Sequence, residues 1–123
     1  MYKILIVEDE ISSSEMLSFV LQQEGYQVVT AENGQEALEQ LHANGVALVL
    51  CDLMMPVMDG RELCRLMKAD PRFESIPIVI MTAAPEVSIA DMIEDGCFYS
   101  SFMRKPLDLD LLTSTVRNLI ATS

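Results

Sequence analysis

The sequence predicts an α/β fold in which a five-stranded parallel sheet is buried between helices on both faces. Three observations lead there. Short apolar runs, KILIV, QVVT, VALVLC, IPIVIM and SFMR, recur along the chain, and they are too uniformly apolar for strands with one face in water. Longer stretches with apolar residues at helical spacing separate them, and glycine, proline, asparagine or aspartate punctuates the junctions. Strands alternating with helices in this way imply a doubly wound (βα)5 sandwich with right-handed crossovers.

In chain order, KILIV is the first strand and is followed by a helix whose sheet-facing residues are expected to be Met16, Phe19 and Val20, with Gly25 past its end. QVVT is the second strand. Asn33-Gly34 opens the next helix, Ala37, Leu38 and Leu41 face the sheet, and Asn44-Gly45 closes it. VALVLC forms the third strand, after which Asp59-Gly60 opens a helix carrying Leu63, Leu66 and Met67, stopped by Asp70-Pro71. IPIVIM and SFMR supply strands four and five. Pro106 is expected to start the last helix, with Leu111, Leu112, Val116, Leu119 and Ile120 inward. There is no linker, repeat or low-complexity tract, so residues 1–123 are expected to form a single domain, half of whose residues are hydrophobic.

Charge narrows the partners. The formal net charge is -11, and Lys3 is the only lysine or arginine before Arg61, which argues against a nucleic-acid backbone or an anionic membrane and favours cations and basic surfaces. Cys51, Cys64 and Cys97 are odd in number and lack CxxC spacing. They read as reduced core thiols, and a cytoplasmic location follows. MYKILIVEDE is neither a signal peptide nor a spanning helix.

In open parallel sheets, ligands bind beyond the carboxyl ends of the strands. Here ILIV runs into Glu8-Asp9, VALVLC into Asp52, IVIM into Thr82 and FMR into Lys105, so four strands deliver three carboxylates, a hydroxyl and an ammonium to one edge. Clustered carboxylates repel one another unless a hard cation relieves them, and oxygen donors without His or Cys select a magnesium-like ion. Such a cluster beside a lysine and a threonine is equipped to hold a phosphoryl group. No Ser, Cys or His stands at these strand ends, so the attacking atom would be a carboxylate oxygen, with Asp52 the central candidate.

These residues carry a resemblance that spans essentially the whole chain. ILIVEDE, the stretch DLMMPVMDG from Asp52 to Gly60, Thr82-Ala83 and Lys105-Pro106 together resemble the receiver domain of two-component response regulators. The resemblance implies a flavodoxin-like fold with strand order 2-1-3-4-5. It implies that Asp52 accepts a phosphoryl group from the phosphohistidine of a histidine kinase or phosphotransfer protein. Asp9 and Asp52 would ligate Mg2+ (or Mn2+), with Glu8 assisting through water and the Met54 backbone carbonyl completing the protein ligands. Lys105 would pair with the phosphate. Thr82 would hydrogen-bond it, and Phe102 would be the aromatic that turns inward, so that the face made by the fourth helix, fifth strand and fifth helix changes partners. The segment CFYSSFMR before Lys105 is longer than many members carry, and Tyr99 competes with Phe102 for the switch role. The resemblance further implies a downstream protein target or output domain, allows a phosphorylation-dependent homodimer, and makes the chain a signalling phosphoacceptor rather than a classical enzyme. It would be either a stand-alone regulator or the receiver of a longer protein.

Plainer readings exist for each residue alone. Glu8, Asp9 and Glu10 suit a helix N-terminus, Asp52 a strand-end cap, Thr82 an N-cap and Lys105 a surface cation; only their joint placement reverses the odds. Met54, Met55 and Met58 read as packing and loop cover, since thioethers suit softer ions. His42 reads as solvated, and Ser12 to Ser14 as a first helical turn. Among rival functions, an aspartate-nucleophile phosphatase of the haloacid dehalogenase type would place an acid where Met54 stands. A flavin carrier would need a phosphate loop where Glu8-Asp9-Glu10 stand. A docking module independent of phosphorylation leaves the complete acidic, Thr and Lys set without a purpose.

Overall fold

A computed structural model describes residues 2–53, 58–83 and 99–122. The described elements run β1 (Lys3–Val7), α1 (Ile11–Gln23), β2 (Gln27–Ala31), α2 (Gly34–Ala43), β3 (Leu48–Asp52), α3 (Gly60–Ala69), β4 (Ile78–Thr82), β5 (Ser101–Arg104) and α4 (Leu109–Thr122). All strand pairs are parallel and the sheet order is β2-β1-β3-β4-β5, as the resemblance implies. The fifth helix of the (βα)5 reading, between β4 and β5, falls on residues outside those described, as do Met54, Met55, Pro56, Gly96 and Cys97.

The sheet divides the apolar residues between two cores, because successive strand side chains point to opposite faces. On one side Leu5, Val7, Val49, Cys51, Ile78 and Ile80 pack with Ala37 and Leu41 of α2 and Leu63, Cys64 and Met67 of α3. On the other, Ile4, Ile6, Leu48, Leu50, Val79 and Met81 pack with Leu17 and Leu21 of α1 and Leu112, Val116 and Ile120 of α4. Cys51 and Cys64 are buried in the same core, as expected of core cysteines.

Turn chemistry ends the helices where the sequence indicated. Asn33 and Asp59 cap α2 and α3, their side chains accepting from the Glu36 and Glu62 amides at 2.9 and 3.0 Å. Gly25 follows α1 with φ of +92°, a conformation that a side chain would strain.

Several expectations are corrected. Met16 and Phe19 are 47% and 63% exposed, and α1 instead buries Ser14, Leu17 and Leu21. Leu111 is likewise exposed. Burial on both faces holds for β1, β3 and β4, but β2 and β5 are edge strands whose only buried residues are Ala31 and Met103. Pro106 does not start the last helix: Asp108 caps it, its Oδ1 accepting from the Asp110 and Leu111 amides, and the helix begins at Leu109.

At the far end of α3, Asp70 Oδ2 accepts from Arg72 Nη2 at 2.7 Å and Oδ1 from Arg72 N and Nε. His42 is exposed but does not stand in water alone: its ring meets Phe73 edge-on at 5.2 Å, and its Nδ1 lies 3.2 Å from Arg72 Nη1. The Arg72 side chain, its amide and its charge hold the Asp70 carboxyl at about 2, below its ordinary 3.8. A carboxyl depressed on folding stabilises the fold above its ordinary pKa, and that contribution is lost as pH falls through the folded value. We expect the Asp70 carboxyl carbon resonance to titrate near 2, and to move back toward 3.8 in Arg72→Ala; a wild-type midpoint near 3.8 would contradict the pairing.

Candidate functional site

Strand register sets the site. Val7 pairs with Cys51, so the residues that succeed them, Glu8 and Asp52, stand level on adjacent strands. Asp52 pairs in turn with Met81, immediately before Thr82. Thr82 pairs with Arg104, immediately before Lys105. Four strands thus bring the predicted side chains to one sheet edge, although Asp52 and Thr82 prove to be the last residues of their strands rather than the first beyond them.

Lys105 ties the edge together. Its Nζ donates to Glu8 Oε2 and to Asp52 Oδ2, both at 2.8 Å, and its backbone N–H donates to the Thr82 carbonyl at 2.8 Å. Glu8 and Asp52 are buried at 3% and 6% exposure, Thr82 is fully buried, and Asp9 is exposed at the mouth. Burial pushes the Glu8 carboxyl up; the Lys105 bond opposes this, and the neighbouring Asp52 carboxylate adds to it. Burial pulls the Lys105 ammonium down, but its bonds to Asp52 and Glu8 outweigh this and raise it. Lys105 is therefore a fixed cation at neutral pH.

Glu8, Asp9 and Asp52 can each place one carboxylate oxygen within 4.8 Å of the others'. An all-oxygen set with one exposed member fits a hard divalent cation that retains waters, and does not fit zinc. Met54, whose carbonyl is the remaining expected ligand, is outside the described residues.

Phe102 lies in β5 opposite Ile80. It is half-buried against the core cluster shared with α2 and α3, with Tyr99 at 5.9 Å and the Arg104 guanidinium 5.5 Å from its ring centre. The two candidate switch aromatics are thus neighbours.

Two supports were not foreseen. Ser13, read only as part of a helical turn, donates its hydroxyl to Glu8 Oε2 at 3.4 Å, while the Glu10 amide donates to Glu8 Oε1 at 3.2 Å. The spacing from Glu8 to Ser13 gave the only sequence hint, placing a hydroxyl in the first turn of α1. Gly60, read as part of a helix start, is required by contact: a Cβ there would lie 2.7 Å from the Asp52 carbonyl oxygen and 2.9 Å from Leu53 Cα. Helix α3 begins directly against the backbone that carries Asp52.

Among the described residues no helix is long and apolar enough to cross a membrane. The family model for the response regulator receiver domain matches residues 4–117. Similar curated proteins include the transcriptional regulatory protein ZraR of Klebsiella oxytoca, 39% identical over 120 residues that cover 96% of this chain and 26% of that protein. Response regulator Rre1 of Synechocystis sp. is 37% identical over 122 residues, covering 96% of this chain and 51% of that protein. The chain thus spans about a quarter to a half of the length of these relatives. Among solved structures, the signal receiver domain of a signal transduction histidine kinase from Syntrophus aciditrophicus matches with a TM-score of 0.89 at 33% identity, covering 99% of this chain and 92% of that one. Response regulator TrrA of Thermotoga maritima, solved in complex with Mg(2+)-BeF, matches with a TM-score of 0.85 at 30% identity, covering 97% and 99%. With the strand order, the acidic edge and these likenesses in agreement, the chain belongs to the receiver domain family of two-component response regulators, whose standard function is to accept a phosphoryl group.

Proposed function

We propose that Asp52 is the phosphoacceptor of this receiver, taking the phosphoryl group from the phosphohistidine of a histidine kinase or phosphotransfer protein. The observation that carries this reading is the single ammonium, Lys105 Nζ, held 2.8 Å from both Asp52 and Glu8 beside an exposed Asp9. A carboxylate oxygen of Asp52 forms the new O–P bond as the donor's P–N bond breaks. The electron pair of that bond stays on the imidazole nitrogen, which then takes a proton.

The chain's residues act on this step by position and charge. Asp52 is fixed at the end of a fully buried strand, which holds the nucleophile in line. Lys105 offsets charge on the phosphoryl oxygens, and Thr82 donates its hydroxyl to one of them. Asp9 and Asp52 would hold magnesium directly, with manganese as a substitute, while Glu8 acts through water and the Met54 carbonyl completes the set. When bound, the ion supplies further neutralisation of the transferring group. Phosphate on Asp52 competes for Lys105 and Thr82, and Phe102 follows Thr82 to alter the face presented to a downstream protein or output domain. The domain works in the cytoplasm as a signalling phosphoacceptor whose only chemistry is on itself, and phosphorylation can drive homodimerisation.

The test is intact mass after incubation with acetyl phosphate and magnesium, beside an EDTA arm. The wild-type chain should gain one phosphoryl group with metal and none with EDTA. No gain from either acetyl phosphate or a phosphorylated kinase would favour a docking module that works without phosphorylation.

A further inference from the structure

We propose that Gly34 and Met58 form a clasp that braces the backbone of Asp52 and Leu53 through Asp59 and Gly60, which makes both of them positioning residues for phosphoryl acceptance; the inference rests on the reading of Asp52 as the acceptor. The Gly34 N–H, the first amide of α2, donates to the Met58 carbonyl at 3.2 Å. Such amides have no partner within their own helix, so α2 spends one on the stretch between β3 and α3. The contact is also steric. A Cβ on residue 34 would lie 2.6 Å from Met58 Cγ, 2.7 Å from Sδ and 2.8 Å from Cβ, all closer than carbon and sulfur atoms approach. Rotating the methionine would move the first two atoms but not its Cβ, so a side chain at 34 must displace the Met58 backbone or α2 itself. Gly34 lies outside the left-handed region, which leaves this contact, not backbone conformation, as the reason for glycine.

Met58 stands next to the residues that close the stretch onto β3. Asp59 caps α3, and the Gly60 N–H donates to the Leu53 carbonyl at 3.0 Å, fastening the base of the same stretch. A Cβ on Gly60 would lie 2.7 Å from the Asp52 carbonyl oxygen, so the start of α3 bears on the acceptor's own backbone, and Met58 joins the start of α2 to it. Met58 is half-buried and packs against the core cluster that includes Ala37, Leu41 and Leu63. A shift of the first turn of α2 is therefore passed through Met58 to the backbone of Asp52.

The test measures magnesium affinity of the full chain by titration calorimetry, together with the rate of phosphoryl uptake from acetyl phosphate. Gly34→Ala should weaken magnesium and slow uptake by about tenfold, the scale of losing an outer support of a metal site. Gly34→Ala combined with Met58→Gly removes all three of these Met58 atoms and should restore most of both. Leu41→Ala, a cavity at the other end of α2, should lower the melting temperature but leave magnesium affinity near that of the wild type. Wild-type affinity in Gly34→Ala, no recovery in the double variant, or an equal loss in Leu41→Ala would each overturn the clasp. If Gly34→Ala does not fold, the double variant decides alone: a folded chain with magnesium affinity near that of the wild type supports the clasp, and a chain that still fails to fold or binds magnesium about tenfold more weakly overturns it. A wild-type chain that takes neither magnesium nor phosphate would sink the acceptor reading and the clasp with it, whereas an active wild type with an unaffected Gly34→Ala sinks only the clasp.

Discussion

Asp52→Asn is expected to abolish phosphoryl uptake under every condition in which the wild-type chain is phosphorylated. The amide has nearly the same shape, so the strand and its partners should survive, and Lys105 keeps its bond to Glu8. The substitution removes the anionic oxygen that must form the O–P bond, and a neutral amide is no substitute nucleophile. The loss should thus be complete rather than graded. Magnesium affinity should also fall, since one of three clustered carboxylates is gone. Intact-mass measurement of the variant beside the wild type checks both the site and the chemistry. A phosphoryl group that still appears would move the acceptor elsewhere, with the exposed Asp9 the first position to examine.

Lys105→Met is expected to produce the second largest effect, and on stability as well as phosphorylation. Removing the ammonium leaves Glu8 and Asp52 side by side, with side chains 1% and 9% exposed, without the cation that both contact. Orphaning a buried charge costs ~3–5 kcal/mol, and because Lys105 is itself 21% exposed we expect about 2–3 kcal/mol at neutral pH. The pH dependence comes from Glu8. A carboxyl raised by folding binds its proton more tightly in the folded state, so the fold loses stability as pH climbs from the ordinary value of 4.5 through the raised one. Without Lys105 that climb should cost more, so the gap between variant and wild type widens from mildly acidic to neutral pH. Magnesium should narrow it by binding the folded form. Urea unfolding at both pH values, with and without magnesium, checks the prediction; an equal gap at both would show that Lys105 does not hold these carboxylates.

Much of the fold and the site was legible because the informative features are local. Uniformly apolar runs that end in Glu8-Asp9, Asp52, Thr82 and Lys105 reveal both the strands and the edge they share, and Asn33 and Asp59 announce the helices they cap. Helix α3 was largely legible because Leu63 and Met67 form a single stripe among charged residues, although Cys64 and not Leu66 completes its buried face. In α1 the apolar residues Ile11, Met16, Leu17, Phe19, Val20 and Leu21 occupy more than one face. Periodicity could not choose among those faces, and packing against the sheet selected Leu17 and Leu21. Edge strands were missed for a related reason. QVVT carries Gln27 and Thr30 where VALVLC is wholly apolar, a difference too short to separate an edge strand from a central one, and strand order decides which is flanked on both sides. The clasp of Gly34 on Met58 joins residues from different β/α units, and no spacing within either unit encodes it.

The division of the sheet into two cores has a consequence for how the site comes apart. Residues of β3 alternate between the cores, Val49 and Cys51 in one and Leu48 and Leu50 in the other, so β3 can be released only by melting both, which amounts to global unfolding. Asp52 inherits that permanence. Lys105 does not, because it comes after an edge strand of four residues with a single buried residue. Local fraying of β5 can withdraw the ammonium while the carboxylates stay where they are. The proposed nucleophile is thus bolted to the most durable part of the molecule and its counter-charge to one of the least, a gradient of cooperativity running across a single salt bridge.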